Sequence, residues 1–254
     1  MSVDSRTLLT VDGVSVRAGN AVLLHEVSFT LAAGEVMAVL GANGAGKSTL
    51  LMTLAGELTA AAGSIDFDGI PLPRWSMTEL ASRRALNASE PPVPFSLTVA
   101  DYVALGRPFA PVDDPALTEA LAECHAGDWP RRDYATLSMG EQTRVQLARS
   151  LYQLGEAGLR ARCLWLLDEP CAHLDIAQRQ FVLALVARVA KAQGWGVVFS
   201  THDPAEAAQI ASHALLLRSG RVLTVAPVAD ALTEANLSVC YGANVARHPS
   251  FVVG

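Results

Sequence analysis

Long apolar runs are missing from this sequence, and none reaches the roughly 18 to 20 residues that a membrane-crossing helix needs. The first residues, Met1-Ser2-Val3-Asp4-Ser5-Arg6, hold no basic segment followed by an apolar stretch. Neither a secretory leader nor a membrane anchor is therefore expected. Cysteine is scarce: Cys124, Cys163, Cys171 and Cys240 are scattered and form no C-x-x-C pair. That pattern suggests neither a zinc site nor a disulfide framework, and it fits reduced thiols. Long basic runs are absent as well, and 19 Lys and Arg against 25 Asp and Glu leave a net charge of -6. A nucleic-acid footprint is not expected on such a chain.

What is present is a large apolar fraction, 51% of 254 residues, enough to bury a full core. Charged residues make up only 17%, and the mean hydropathy of +0.29 fits either a buried parallel sheet or a surface that a partner covers. The most informative stretch is Gly41-Ala42-Asn43-Gly44-Ala45-Gly46-Lys47-Ser48, which matches G-x-x-x-x-G-K-[ST]. It stands between the apolar run Val36 to Leu40 and the helix-favouring Thr49-Leu50-Leu51-Met52. Glycines there let successive N–H groups turn inward, and a helix start adds partial positive charge, so the loop is expected to cradle phosphates. Gly41, Asn43, Gly44, Ala45, Gly46, Lys47, Ser48 and Thr49 are the candidate nucleotide contacts, with Lys47 as a point charge and the Ser48 hydroxyl as a Mg2+ ligand.

In chain order, Leu8 to Val16 and Val27 to Leu31 read as strands around the turn Arg17-Ala18-Gly19-Asn20, giving an antiparallel edge ahead of the core. Helix is expected from the loop to about Ala55, then a strand and turn over Gly63 to Gly69. Capping boxes at Ser76-Met77-Thr78-Glu79 and Ser138-Met139-Gly140-Glu141 predict a short helix and a long one reaching roughly Leu154. The residues from Thr98 to Tyr134 read as helical pieces without strands. Cys163 to Leu167 and Gly196 to Phe199 read as buried strands, with an amphipathic helix from Ile176 to Gln193 between them. A short helix over Ala205 to Ala211 leads to a hairpin of Ala214 to Leu217 and Arg221 to Val225 across Ser219-Gly220. Beyond about Leu232 the pattern carries little information. The alternation predicts an α/β fold, a mostly parallel sheet with an antiparallel β edge and an inserted helical subdomain, and the phosphate loop makes it resemble the P-loop NTPase (RecA-like) folds. A single domain over 1–254 is expected, with 1–86 and 160–254 forming the α/β core and 87–159 the helical part.

The run Cys163-Leu164-Trp165-Leu166-Leu167-Asp168-Glu169 ends a strand in two carboxylates. Beside a phosphate loop, Asp168 would support Mg2+ and Glu169 would polarise the attacking water. Leu137-Ser138-Met139-Gly140-Glu141-Gln142, upstream of that strand, resembles the signature motif of the ATP-binding cassette ATPases, and the resemblance extends over nearly the whole chain. It implies that Ser138 and the amides around Gly140 face the γ-phosphate of ATP held by a second copy, in a head-to-tail dimer. Ala172-His173-Leu174-Asp175 looks like the family's D-loop, with Asp175 its acidic residue. Ser200-Thr201-His202-Asp203 looks like the switch segment, with His202 reaching toward the γ-phosphate and Glu169 from a strand's C-terminal end.

Three positions depart from the family pattern. Met139 stands where the family carries glycine, no aromatic lies near Arg17 to stack on adenine, and Ser89 occupies the position of the Q-loop glutamine. That glutamine reaches Mg2+ and relays the ATP state to the transport partner, so Ser89 is the third candidate metal contact. Arg17 could stack by its guanidinium plane instead. The steps Gly56-Glu57-Leu58, Trp75-Ser76, Arg83-Arg84-Ala85-Leu86 and Leu105-Gly106-Arg107-Pro108 resemble the ATPases of importers for haem, iron-siderophore complexes and cobalamin. The extra segment Gly155 to Arg162 points toward the haem and cobalamin members. The resemblance implies ATP and Mg2+, a second copy of the chain, transmembrane permease subunits, an extracytoplasmic substrate-binding protein, and a place on the cytoplasmic face of the inner membrane. The apolar, proline-rich stretch Pro91 to Phe95 is expected to offer a lip to the permease. Haem is the leading cargo; an iron-siderophore, cobalamin, or a nucleotide-switched role outside transport are the alternatives.

Overall fold

A computed structural model describes residues 7–88, 96–111, 114–155 and 162–246. Two long strands, β1 (Thr7–Ala18) and β2 (Ala21–Ala32), form an antiparallel hairpin. β3 (Val36–Leu40) then delivers the phosphate loop to α1 (Lys47–Leu54). β4 (Ala62–Phe67) and β5 (Ile70–Pro71) complete the antiparallel edge, followed by α2 (Met77–Arg83) and β6 (Arg84–Asn87). Three helices come next: α3 (Val99–Ala104), α4 (Pro115–Glu123) and α5 (Met139–Gly155). The chain returns to the sheet through β7 (Leu164–Leu167), α6 (Ile176–Gln193), β8 (Gly196–Thr201) and α7 (Pro204–Ile210). β9 (His213–Arg218), β10 (Arg221–Pro227), α8 (Val228–Ala231) and α9 (Glu234–Tyr241) end it.

The strands make one sheet in the order β5-β4-β1-β2-β10-β9-β3-β8-β7-β6. Its centre is parallel, with β3 between β9 and β8, and β7 and β6 continuing beyond β8. Side chains alternate across a strand, so a strand covered on both faces feeds two cores. β3 does so: Val36, Ala38 and Leu40 join Trp165, Leu167, Val197 and Phe199 on the face of α5 and α6. Met37 and Val39 join Leu164, Leu166 and Val198 beneath Leu50, Leu51 and Leu54 of α1. This two-sided burial explains why the β3 and β7 segments read as unbroken apolar runs. It also fixes the C-terminal ends of β3, β7 and β8 side by side, where ligands of parallel sheets bind.

Most expected elements stand within a residue or two of their sequence limits, including the helix Ile176–Gln193. β6 is a correction, because Arg84–Asn87 forms the sheet's outer parallel strand where no strand was expected. Its short, polar-flanked run carries little strand signal, and pairing with β7 rather than propensity decides it. α9 is a helix capped by Thr233 in the region where the sequence pattern carries little information. All four cysteines are buried and free. Among the described residues no helix is long and apolar enough to cross a membrane.

Candidate functional site

The phosphate loop is shaped by two glycines that nothing larger could replace. A Cβ on Gly41 would meet the Leu217 carbonyl oxygen at 2.4 Å. Gly46 holds φ at 108° and would push a Cβ to 2.9 Å from Leu24 Cδ2, a backbone that side chains avoid. Gly46 is also the N-cap of α1, and no side chain caps it. The first N–H groups of α1 thus lack side-chain acceptors and carry the positive end of the helix dipole, which is the physical basis of an anion cradle. Lys47 is nearly buried: its Nζ donates to the Gly41 carbonyl at 2.9 Å and lies 3.1 Å from Glu169 Oε1. Ser48, at the first turn, is exposed.

Opposite the loop, the end of β7 presents the two carboxylates. Ser200, on β8, donates its hydroxyl to Asp168 Oδ1 at 2.5 Å and accepts the Glu169 N–H at 2.8 Å. The Asp168 N–H is taken by the Asn87 carbonyl at the end of β6. Glu169 has φ 46°, an unusual value for a residue with a side chain. Its carboxylate is shared, Oε1 toward Lys47 and Oε2 3.5 Å from His202 Nδ1. Glu169 and His202 line one cavity of about 570 Å³ with Ala42, Asn43, Ala172, His173 and Tyr241.

The segment carrying His202 is clamped from α6. Arg179 meets Asp203 Oδ2 at 3.1 Å and Glu206 Oε1 at 3.3 Å, and Thr201 donates to Glu206 Oε2 at 2.6 Å. Burial pushes the Glu206 carboxyl above the usual range, with Thr201 and Arg179 opposing. Asp203 caps α7 through the Ala205 N–H.

The remaining predicted residues are placed away from this cavity. Ser138 and Gly140 open α5, where Ser138 N–H donates to Glu141 Oε2 at 2.8 Å and the Glu141 N–H returns to Ser138 Oγ at 3.3 Å. The Arg132 guanidinium and the Ser138 N–H hold the Glu141 carboxyl down at about 2. Gly140 is buried against the Gln178 side chain, which a Cβ would overlap at 2.2 Å. Asp175 caps α6 through the Gln178 N–H at 2.8 Å, so Asp175 and the start of α5 are joined through Gln178. Met139 is exposed. Arg17 is exposed at the tip of the β1–β2 hairpin, opposite Val22. Ser89 and Pro91 to Phe95 lie outside the described residues, as does most of the segment Gly155 to Arg162. Sequence reasoning missed the double role of Ser200 and the presence of Tyr241. Small polar residues at strand ends are a usable signal for the first, whereas nothing local marks the second.

Mg2+ fits the donors present. Asp168 keeps one carboxylate oxygen beyond the Ser200 bond, and Ser48 offers a hydroxyl, both hard oxygen donors. No cluster of three or more His, Cys, Asp or Glu able to hold a metal occurs among the described residues.

A glycine-rich loop on a helix start, a buried lysine in it, and an Asp-Glu pair on the neighbouring parallel strand together define a P-loop nucleotide hydrolase. The sequence profile of the ABC transporter family matches residues 24–172. The hemin import ATP-binding protein HmuV of Methylobacillus flagellatus is 37% identical over 240 residues, covering 92% of this chain and 89% of that protein. Its counterpart in Nocardia farcinica is 41% identical over 233 residues, 89% of this chain and 76% of the relative. Among solved structures, an inward-facing metal-chelate type ABC transporter superposes with a TM-score of 0.78 at 28% identity, covering 92% of this chain and 88% of that one. This chain belongs to the ABC transporter family. It is accordingly an ATP-binding ATPase subunit, of the kind that works as a dimer with membrane permease partners.

Proposed function

We propose that this chain drives haem uptake, hydrolysing ATP at the cytoplasmic face of the inner membrane for a permease that receives haem from an extracytoplasmic binding protein. The hemin-import relatives over most of the chain support haem as the cargo. In this reading the N–H groups of residues 44–49 and the Lys47 ammonium hold the nucleotide's phosphates. Ser48 and Asp168 would hold Mg2+, which would supply positive charge against the phosphates. By sequence position Ser89 replaces the relay glutamine of the family. Glu169 takes the proton of the attacking water, and His202 orients on the γ-phosphate. Ser138 and Gly140 serve the site of the second copy, and Asp175, joined to α5 through Gln178, carries contact between the copies. Residues 87–159 are assigned to the helical subdomain that carries Ser138 and Gly140, with Asn87 itself ending β6 of the sheet.

The observation that carries the reading is the sharing of one carboxylate. Glu169 stands between the buried Lys47 and the exposed His202, at 3.1 and 3.5 Å. A base at that point contributes on the order of a hundredfold or more to turnover. Glu169→Gln is therefore expected to lower phosphate release at least a hundredfold while retaining ATP and holding the dimer together. Radiolabelled ATP retention on a sizing column, read beside phosphate release, checks this. A variant that turns over at the native rate removes Glu169 from the role.

A further inference from the structure

The last helix, α9, reaches the switch segment from outside the sheet. Its final residue, Tyr241, is half-buried and donates its hydroxyl to the His202 carbonyl at 3.0 Å. The neighbouring residues are fixed on other sides. Cys240 Sγ donates to the Leu217 carbonyl at 3.7 Å and lies 4.0 Å from that of Leu40. Arg218 Nη1 donates to the Val239 carbonyl at 2.6 Å, and Gly242 ends the helix at φ 65°. α9 thus connects the end of β3, which opens the phosphate loop, with the residue just past β8 that carries the imidazole.

The His202 side chain has little else to hold it. It is 62% exposed, and its contact with Glu169 is long at 3.5 Å, beyond the range of a firm hydrogen bond. The reach of the ring then depends on where the backbone of His202 is held. Thr201 is tied to Glu206, and Asp203 donates its N–H to Thr201 Oγ1; Tyr241 holds the peptide carbonyl between them. Burial pushes the Tyr241 phenol up from its usual value, so the group remains a neutral donor across the pH range of turnover.

We propose that Tyr241 is a positioning residue for His202, whose hydroxyl sets the reach of the imidazole through the His202 carbonyl and so tunes the rate of hydrolysis rather than nucleotide affinity. This rests on the phosphate-sensing role given to His202 above. One neutral hydrogen bond of this kind corresponds to roughly a five- to tenfold rate change.

The test uses the full chain with four variants: Tyr241→Phe, Tyr241→Leu, His202→Ala and the double variant Tyr241→Phe with His202→Ala. The expected result is a kcat lowered about five- to tenfold by Phe and by Leu alike, with KM for ATP within about twofold. In the His202→Ala background, Tyr241→Phe is expected to add less than about a twofold loss. Equal losses in both backgrounds overturn the proposal, as does a loss with Leu but none with Phe, which would mark ring packing as the cause. A raised KM at unchanged kcat overturns it too. If His202→Ala itself keeps full kcat, the role of His202 fails and takes the proposal with it. That failure is distinct from one in which His202→Ala is impaired and Tyr241→Phe is not.

Discussion

Ser200 sits fully buried between the two carboxylates at the end of β7, and a single hydroxyl serves both: it donates to Asp168 and accepts the Glu169 N–H. Removing it leaves a buried N–H without its acceptor. It also frees a backbone held at φ 46°, which surrounding contacts must maintain. Partners that orient metal or catalytic carboxylates typically cost 10- to 100-fold when removed. Ser200→Ala is therefore expected to lower kcat for phosphate release by about 10- to 100-fold with little change in ATP binding. Titration with a fluorescent ATP analogue beside steady-state kinetics checks this, and unchanged kcat would show that the strand end is held without it. The role was legible only in part. The residue types of Ser200-Thr201-His202-Asp203 mark a polar strand end, but which hydroxyl serves which carboxylate depends on β7 and β8 lying adjacent in register, with Leu167 opposite Phe199.

Helix starts were the most legible elements, because their signal is local. Ser76 with Glu79 and Ser138 with Glu141 form the expected reciprocal caps. The second carries a pH-dependent contribution. The Glu141 carboxyl, held by the Arg132 guanidinium and the Ser138 N–H, falls from its ordinary 4.5 to about 2. A depressed carboxylate contributes stability that is present above its unfolded pKa and lost as pH falls toward the folded one. The native chain is therefore expected to melt higher than Glu141→Gln by a constant margin above pH 4.5, and the margin should narrow as pH drops toward 2. Thermal melts of both proteins across that window test it; a margin that widens toward acid would contradict the sign. β6 and α9 were not legible for the opposite reason. Arg84-Ala85-Leu86-Asn87 becomes a strand only because β7 offers it a paired edge, and the contacts of α9 are with residues far away in sequence, the Leu217 and His202 carbonyls.

At the scale of the whole molecule, the sheet brings the strand ends of β3, β7 and β8 into one nucleotide site and leaves Ser138 and Gly140 elsewhere, on α5. Among the described residues those two do not line the cavity beside Lys47 and Glu169. In the proposed head-to-tail pairing they would meet the nucleotide of the second copy, and the Gly140–Gln178–Asp175 contact ties that surface to the segment just past β7. The overall plan was readable in the sequence because the phosphate loop, the signature stretch and the Asp168-Glu169 pair each carry their chemistry in consecutive residues. The cargo was readable only by resemblance, since haem would touch the permease and not this chain. Uptake by the assembled importer is accordingly the most direct measurement: liposomes containing the permease, this chain and ATP, offered haem or cobalamin with the binding protein on the receiving side. The expected result is ATP-dependent accumulation of haem that Glu169→Gln abolishes. Accumulation of cobalamin without haem, or haem uptake that persists in the Glu169→Gln assembly, would contradict the proposed function.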